Sequence, residues 1–263
     1  MEALLRFGVF FLILSTMALW EMLSPKRRLS LERRRRWPVN LGLAALNVAV
    51  MRISIGAAAW LAANWASDLH IGLFNVFAIP DWLSVLLSLL LLDLAIYAQH
   101  IAAHRWRWFW RLHQVHHTDL DFDTTTAIRF HPLEIMLSML YKVVLVVLLG
   151  VAPTTVIAFE MILNGCALFN HGNVYLPEAF ERRLRYLLVT PDMHRIHHST
   201  YQPETDSNYG FSISCWDRLF RTYCANSREA QTEMPIGLNG FRDVAELGII
   251  NMLALPFKHL RKR

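Results

Sequence analysis

The chain has 263 residues, of which 54% are hydrophobic and 18% charged, a balance that excludes intrinsic disorder and points to a membrane protein. The net charge of +5 is gathered between the apolar runs. Cys166, Cys215 and Cys224 form no CxxC pair, which excludes a zinc ribbon, a thioredoxin-type redox motif and a secreted disulfide scaffold.

In chain order, residues 7–20 carry no charge and are bracketed by Arg6 and Glu21, so a first spanning helix with interfacial ends is expected. A dense basic stretch, Lys26, Arg27, Arg28 and Arg33 to Arg36, follows in place of a cleavage site and suits a retained anchor. Residues 37–65 are apolar with Arg52 near the middle, either one long tilted span or a helix bent at that arginine. The segment 66–80 has no Lys or Arg. A third span covers 82–99, interrupted by Asp93, which is expected to line a cavity or pair with Arg52. It ends in His100 and His104.

In the polar segment that follows, Trp106, Trp108, Phe109 and Trp110 alternate with Arg105, Arg107 and Arg111. Beside a helix end this is an interfacial belt rather than a nucleic-acid surface. The block 133–169, broken by Gly150 and Pro153, reads as two helices joined by a tight turn, with Lys142 and Glu160 placed to pair across it. Residues 244–257, ending in Lys258, His259, Arg261, Lys262 and Arg263, read as an interfacial helix on anionic headgroups. The basic loop 26–36 is assigned to the cytosol, and counting spans forward brings every histidine cluster to that same face.

Four clusters carry the chemistry: His100 with His104, His113-Gln-Val-His116-His117, His171 after Asn170, and His194-Arg-Ile-His197-His198. On a helix, residues three and four apart share a face, so each H-x-x-H-H group is expected to aim its imidazoles at one point. At this chain's histidine frequency one such group arises by chance in about one sequence in forty, and two together are improbable. Imidazole suits iron, zinc, copper and nickel, and nine histidines exceed what one ion takes, so two ions are expected. His70 and His259 read as surface residues. His131 either caps the hairpin or supports the site, and one of Asp206, Asn208 and Tyr209 is placed to accept a ligand's free N–H. There is no H-E-x-x-H for a zinc hydrolase. A membrane metal- or haem-binding or transport protein without catalysis remains the alternative, though its ligands belong deeper in the bilayer.

The order H-x3-H, H-x2-H-H, H, H-x2-H-H around a membrane hairpin resembles the fatty acid hydroxylase and sterol desaturase superfamily of integral-membrane di-iron oxygenases. The strings Trp110 to Thr118, Arg129 to Glu134, Thr190 to Ser199, Asp206 to Gly210 and Trp216 to Phe220 add to the match over residues 80–225. The resemblance implies two non-haem irons held by His100, His104, His113, His116, His117, His171, His194, His197 and His198, with His131, Asp206 and Asn208 behind them. It implies dioxygen as co-substrate and hydroxylation or desaturation of a fatty acyl, sterol or related lipid. Where the fatty acid 2-hydroxylase branch has a further histidine, this chain has Ala167, which favours a sterol-desaturase-like or general lipid-hydroxylase branch. With no G-x-G-x-x-G fingerprint, electrons must come from a separate donor protein.

The expected fold is an all-α, multi-pass membrane bundle of about four spanning helices, with a cytosolic helical cap carrying the histidines. It divides into an N-terminal membrane anchor region (1–80), a di-iron catalytic domain (81–225) and a cytosolic tail with an interfacial helix (226–263).

Overall fold

The computed structural model describes residues 2–54, 57–77 and 79–258, and the basic end beyond Lys258 noted above lies outside them. All regular elements among the described residues are helical. The apolar N-terminus forms α1 (Glu2–Leu23), and the basic stretch opens α2 (Arg33–Ser54). Beyond residues 55 and 56, which are not among those described, come α3 (Ala58–Asp68) and the single turn α4 (Leu73–Val76). The span 37–65 is thus described in two helical pieces, α2 and α3, and the Arg52 guanidinium lies over the Phe7 ring at 5.2 Å.

Next come α5 (Asp81–Arg105), α6 (Arg107–His117), α7 (Pro132–Leu149) and α8 (Pro153–Asn170). Both hairpin helices begin with proline at their first turn, where a missing N–H costs nothing. Gly150 ends α7 in the left-handed region (φ 70°). Gly72 (φ 99°) lies against that turn so closely that a Cβ on it would sit 2.3 Å from the Gly150 nitrogen. The 72–77 turn thereby closes the far end of the bundle. Four helical segments, Leu4–Leu23, Arg33–Val76, Asp81–Arg105 and Pro132–Leu149, are long and apolar enough to cross a membrane. The chain is thus a multi-pass helical membrane protein, as expected.

Lys142 Nζ and Arg6 Nη1 each lie 2.5 Å from an oxygen of Glu160. The expected pair across the hairpin is in fact a triad that ties α1 to α7 and α8. Arg6 is thus turned to an inter-helix bond, and Glu21 is wholly buried, accepting the backbone N–H groups of Thr124 and Asn173. Glu21 is therefore not the exposed interfacial residue its place at a helix end suggested. The basic stretch is likewise partly built in: Lys26 bonds Asp192 at 2.7 Å and buried Arg27 donates to the Met234 carbonyl at 2.7 Å.

The strongest of these ties is Arg36. It is 3% exposed and reaches Asp119 through two parallel bonds of 2.7 and 2.8 Å and Asp123 at 2.6 Å. Asn40 donates to Asp119 and accepts from Arg129, so α2 anchors the whole loop 118–131 that connects α6 to α7. Burial, the largest single influence, would raise the Asp119 pKa, but the charges of Arg36 and Arg129 and the hydrogen bonds from Arg36 and Asn40 together outweigh it and hold that carboxyl well below the usual range.

The cap is built from α9 (Glu178–Leu184), α10 (Pro191–His197), α11 (Gln202–Thr205), α12 (Cys215–Leu219) and α13 (Ile249–Ala254). Residues 244–257 form a helix broken into 3-10, α and 3-10 turns. Met252 and Leu255 are buried with Leu43, Val115 and Leu120, while Ile250 and Phe257 face outward. Replacing Arg36 with alanine strands two buried carboxylates, and we expect a loss of about 3–5 kcal/mol, read as a lowered thermal midpoint of the detergent-solubilised protein.

Candidate metal centre

The nine clustered histidines come from four places. His100 and His104 occupy one face of the last turns of α5, and His113, His116 and His117 belong to α6. His171 follows the C-terminus of α8, and His194, His197 and His198 belong to α10 and its cap. All nine are buried, none more than 5% exposed. They sort into two groups, each with its ligating atoms within 4.8 Å of one another: His100, His104, His113, His117 and His197, then His116, His171, His194 and His198.

The sorting corrects the expectation that each H-x-x-H-H group aims at one point. Positions i and i+4 share a face, so His113 with His117 and His194 with His198 stay together. The remaining member of each motif turns about 100° away and joins the other group. Each motif therefore contributes to both groups, and the two lie side by side, with the His117 and His198 rings stacked at 4.5 Å.

The outer nitrogens are held by the fold. The His100 Nδ1–H donates to the Tyr209 carbonyl at 2.8 Å and His197 Nδ1–H to the Ser207 carbonyl at 2.7 Å. His171 Nδ1–H donates to the Ala167 carbonyl at 2.8 Å and His113 Nδ1–H to Glu134 Oε1 at 2.6 Å. His104 Nδ1 lies 3.5 Å from Asp206 Oδ1. With Nδ1 so engaged, Nε2 carries the lone pair. The Nε2 atoms of His100, His113 and His197 are buried without a hydrogen-bond partner. In the second group His171 Nε2 is 3.1 Å from His116 Nε2 and 3.2 Å from His194 Nε2. Two nitrogens each about 2.1 Å from a shared ion stand about 3.0–3.4 Å apart. Inward lone pairs backed by outward N–H bonds are what a metal requires of its histidines.

Burial first, and neighbouring imidazoles second, hold His116, His117, His194 and His198 well below the ordinary histidine range. Burial likewise lowers His171 and His197 to about 3, although their carbonyl bonds oppose it. These rings stay neutral at physiological pH, the form that binds metal. Both groups can thus hold metal ions.

Of the supporting residues read from sequence, Asp206 stands beside His104. The hydrogen bonds of Asn208 go to main chain rather than to a histidine: its amide donates to the Met193 and Cys224 carbonyls, and it adopts φ 51°. By fixing the turn it leaves the Ser207 and Tyr209 carbonyls, on either side, bonded to imidazoles. His131 caps α7 through the Leu133 N–H and bonds the Leu253 carbonyl, so its nitrogens are occupied away from the two groups.

Glu134 and Asp217 escaped sequence reasoning. A carboxylate at the start of an apolar span signals a buried partner, which is the hint Glu134 offered. Asp217 accepts the backbone N–H groups of Tyr209 and Gly210 at 2.8 Å each and so braces the turn behind His100. Asp93 pairs with the cap, accepting from Trp216 Nε1 at 2.9 Å and the Ile213 N–H at 3.3 Å, rather than with Arg52. The expected aromatic belt divides: Trp106, at the turn before α6, and Trp108 are exposed, while Phe109 and Trp110 are buried, with the Trp110 ring 5.0 Å from His104.

Residues 85–222, more than half of the chain, match the fatty acid hydroxylase family, and the chain belongs to that family. It is 29% identical over 178 residues to the ornithine lipid hydroxylase OlsE of Rhizobium tropici, covering 68% of this chain and 51% of that one. It is 27% identical over 176 residues to human alkylglycerol monooxygenase (Homo sapiens), covering 65% and 38% respectively. A cholesterol 25-hydroxylase-like protein of Danio rerio is 30% identical over 139 residues, 51% of this chain and 53% of that one. The chain therefore spans about half, or less, of the curated relatives it matches. No solved structure matches it.

Removing the bond behind His113, as in Glu134→Ala, is expected to weaken metal affinity about 10- to 100-fold, measured by competition with a chelator. The metal-free protein is expected to lose stability as pH falls from 6.5 toward 3, because unfolding frees His171 and His197 to take up protons that the folded state refuses. Thermal melts across that window check the sign.

Proposed function

We propose that this chain is an integral-membrane di-iron monooxygenase that hydroxylates a lipid. The observation that carries the reading is the sorting of nine buried imidazoles into two adjacent groups with nitrogens facing inward. The five and four histidines named above would each hold one iron. Iron bound there supplies activation of dioxygen and attack on an unactivated C–H bond. The overall balance is R–H + O2 + 2 electrons + 2 protons to R–OH + H2O. Hydroxylation is favoured over desaturation because the relatives named above are hydroxylases and monooxygenases.

The chain's own contribution is positional. Carbonyls of Ala167, Ser207 and Tyr209 and the Glu134 carboxylate orient four imidazoles. Phe122, Phe130 and Trp110 pack against the rings and exclude water. Residues 81–225 carry the chemistry, braced by α1 and α2. The electrons come from a donor protein, a reading supported by membership in the fatty acid hydroxylase family. The histidine end is placed on the cytosolic side, a reading supported by exposed Arg28, Arg34 and Arg35 at that end.

Metal analysis of the purified full chain should return two irons. His113→Ala and His194→Ala, one from each group, should each lower formation of lipid carrying one added oxygen at least about 100-fold, read by mass spectrometry of expressing cells. A single zinc per chain, or full activity in both variants, overturns the reading.

A further inference from the structure

A cavity of about 150 Å³ opens beside the first histidine group, between α5, α7 and α8. Its inner wall includes His100, His113 and Glu134, and Ile96, Leu163 and Phe211 give it an apolar lining. Three polar side chains interrupt that lining: Gln99, Ser138 and Asn164. Gln99 lies six residues before the end of α5, Ser138 six after the start of α7, and Asn164 six before the end of α8. At 1.5 Å per residue each is about 9 Å inside its helix end, so three helices place a hydrogen-bonding group at one depth. The Ser138 hydroxyl donates to Gln99 Oε1 at 3.2 Å. Polar groups at that depth are costly in lipid unless something polar meets them.

The second observation is Glu134. It is 5% exposed, and while Oε1 accepts from His113, Oε2 is buried without a partner. This oxygen, like Oε1 that takes the His113 N–H, is placed to accept, so the partner that fits it is a donor. It stands one imidazole away from the inward Nε2 of His113, so a molecule donating to it has its adjoining carbons beside the first histidine group. The volume adds a limit: a cavity of about 150 Å³ takes a benzene-sized group, about six heavy atoms. Four fused rings do not enter it.

We propose that this cavity receives the polar end of a lipid bearing an O–H or N–H donor, which bonds Glu134 Oε2 while Gln99, Ser138 and Asn164 meet the next polar group. The carbon presented to the histidines then lies within a few bonds of that donor, not far along a bare hydrocarbon chain. This deepens the monooxygenase reading and, as a statement about substrate, rests on it. Glu134 acts here in two directions, as the positioning residue of His113 and as the acceptor for the incoming lipid.

The test uses the full-length, metal-loaded protein in nanodiscs, and again after chelation, with binding read by native mass spectrometry. The probes are 1,2-dodecanediol, its dimethyl ether and dodecane at equal mole fraction. The diol, with donors, should bind about tenfold more tightly than the ether, which only accepts, or the alkane. Glu134→Gln keeps an oxygen for the His113 N–H but offers an amide to the cavity, and should erase or reverse the preference for diol over ether. Gln99→Leu, which leaves Glu134 in place, should narrow it several-fold and serves if the first variant fails to fold. Equal binding of all three probes by the unmodified protein, or an unchanged preference in both variants, overturns the proposal. Diol-selective binding without lipid oxidation or iron would instead overturn the monooxygenase reading alone.

Discussion

Nine imidazoles have been taken out of water and gathered into one nest, and much of the molecule is arranged around that cost. A buried nitrogen without a partner is unfavourable by about 1–3 kcal/mol, and the nest holds many of them. The fold tolerates this because it satisfies the outer nitrogens first, with main-chain carbonyls from the end of α8 and from the 207–209 turn and with one carboxylate from α7. Each of those acceptors is itself secured: Asp217 holds the turn, and Arg36 and Arg129 hold the loop leading into α7. The result is an outer ring of bonded nitrogens around inward nitrogens that can take metal ions.

The apolar half and the polar half of the protein are accordingly not independent. Asp93, midway along α5, reaches the 213–216 segment, and Tyr97 one turn later bonds Thr222 at 2.7 Å and stacks on Phe220. From the other side, α1 and α2 insert Glu21, Arg36 and Asn40 into the loop 118–131. The helices that cross the bilayer thus fix the spacing between the turns that carry histidine.

Much of this was legible in the sequence because it rests on local periodicity. The uncharged runs, the proline and glycine at 153 and 150, and the i to i+4 spacing of histidines each specify a helix, a turn or a shared face without reference to distant residues. What was not legible depends on partners far along the chain. Arg27 and Arg36 read as part of a cytosolic basic loop, yet they are buried against residues 83 to 207 positions away. The exchange of His116 and His197 between the two groups follows from helical geometry, but only once α6 and α10 are known to face each other. Glu134 gave a weak signal as a charge at a span's edge, and its pairing with His113 needed the loop between them to fold.

The order in which the chain is made now matters. Glu21 and Arg36 leave the ribosome roughly a hundred residues before most of the groups that neutralise or bond them, so during synthesis they must wait at the membrane surface as bare charges. The first prospective ligand appears at position 100 and the last at 198, and both groups need residues from α10. Neither can close around an ion until three quarters of the protein has been translated, which makes metal uptake a late step of maturation.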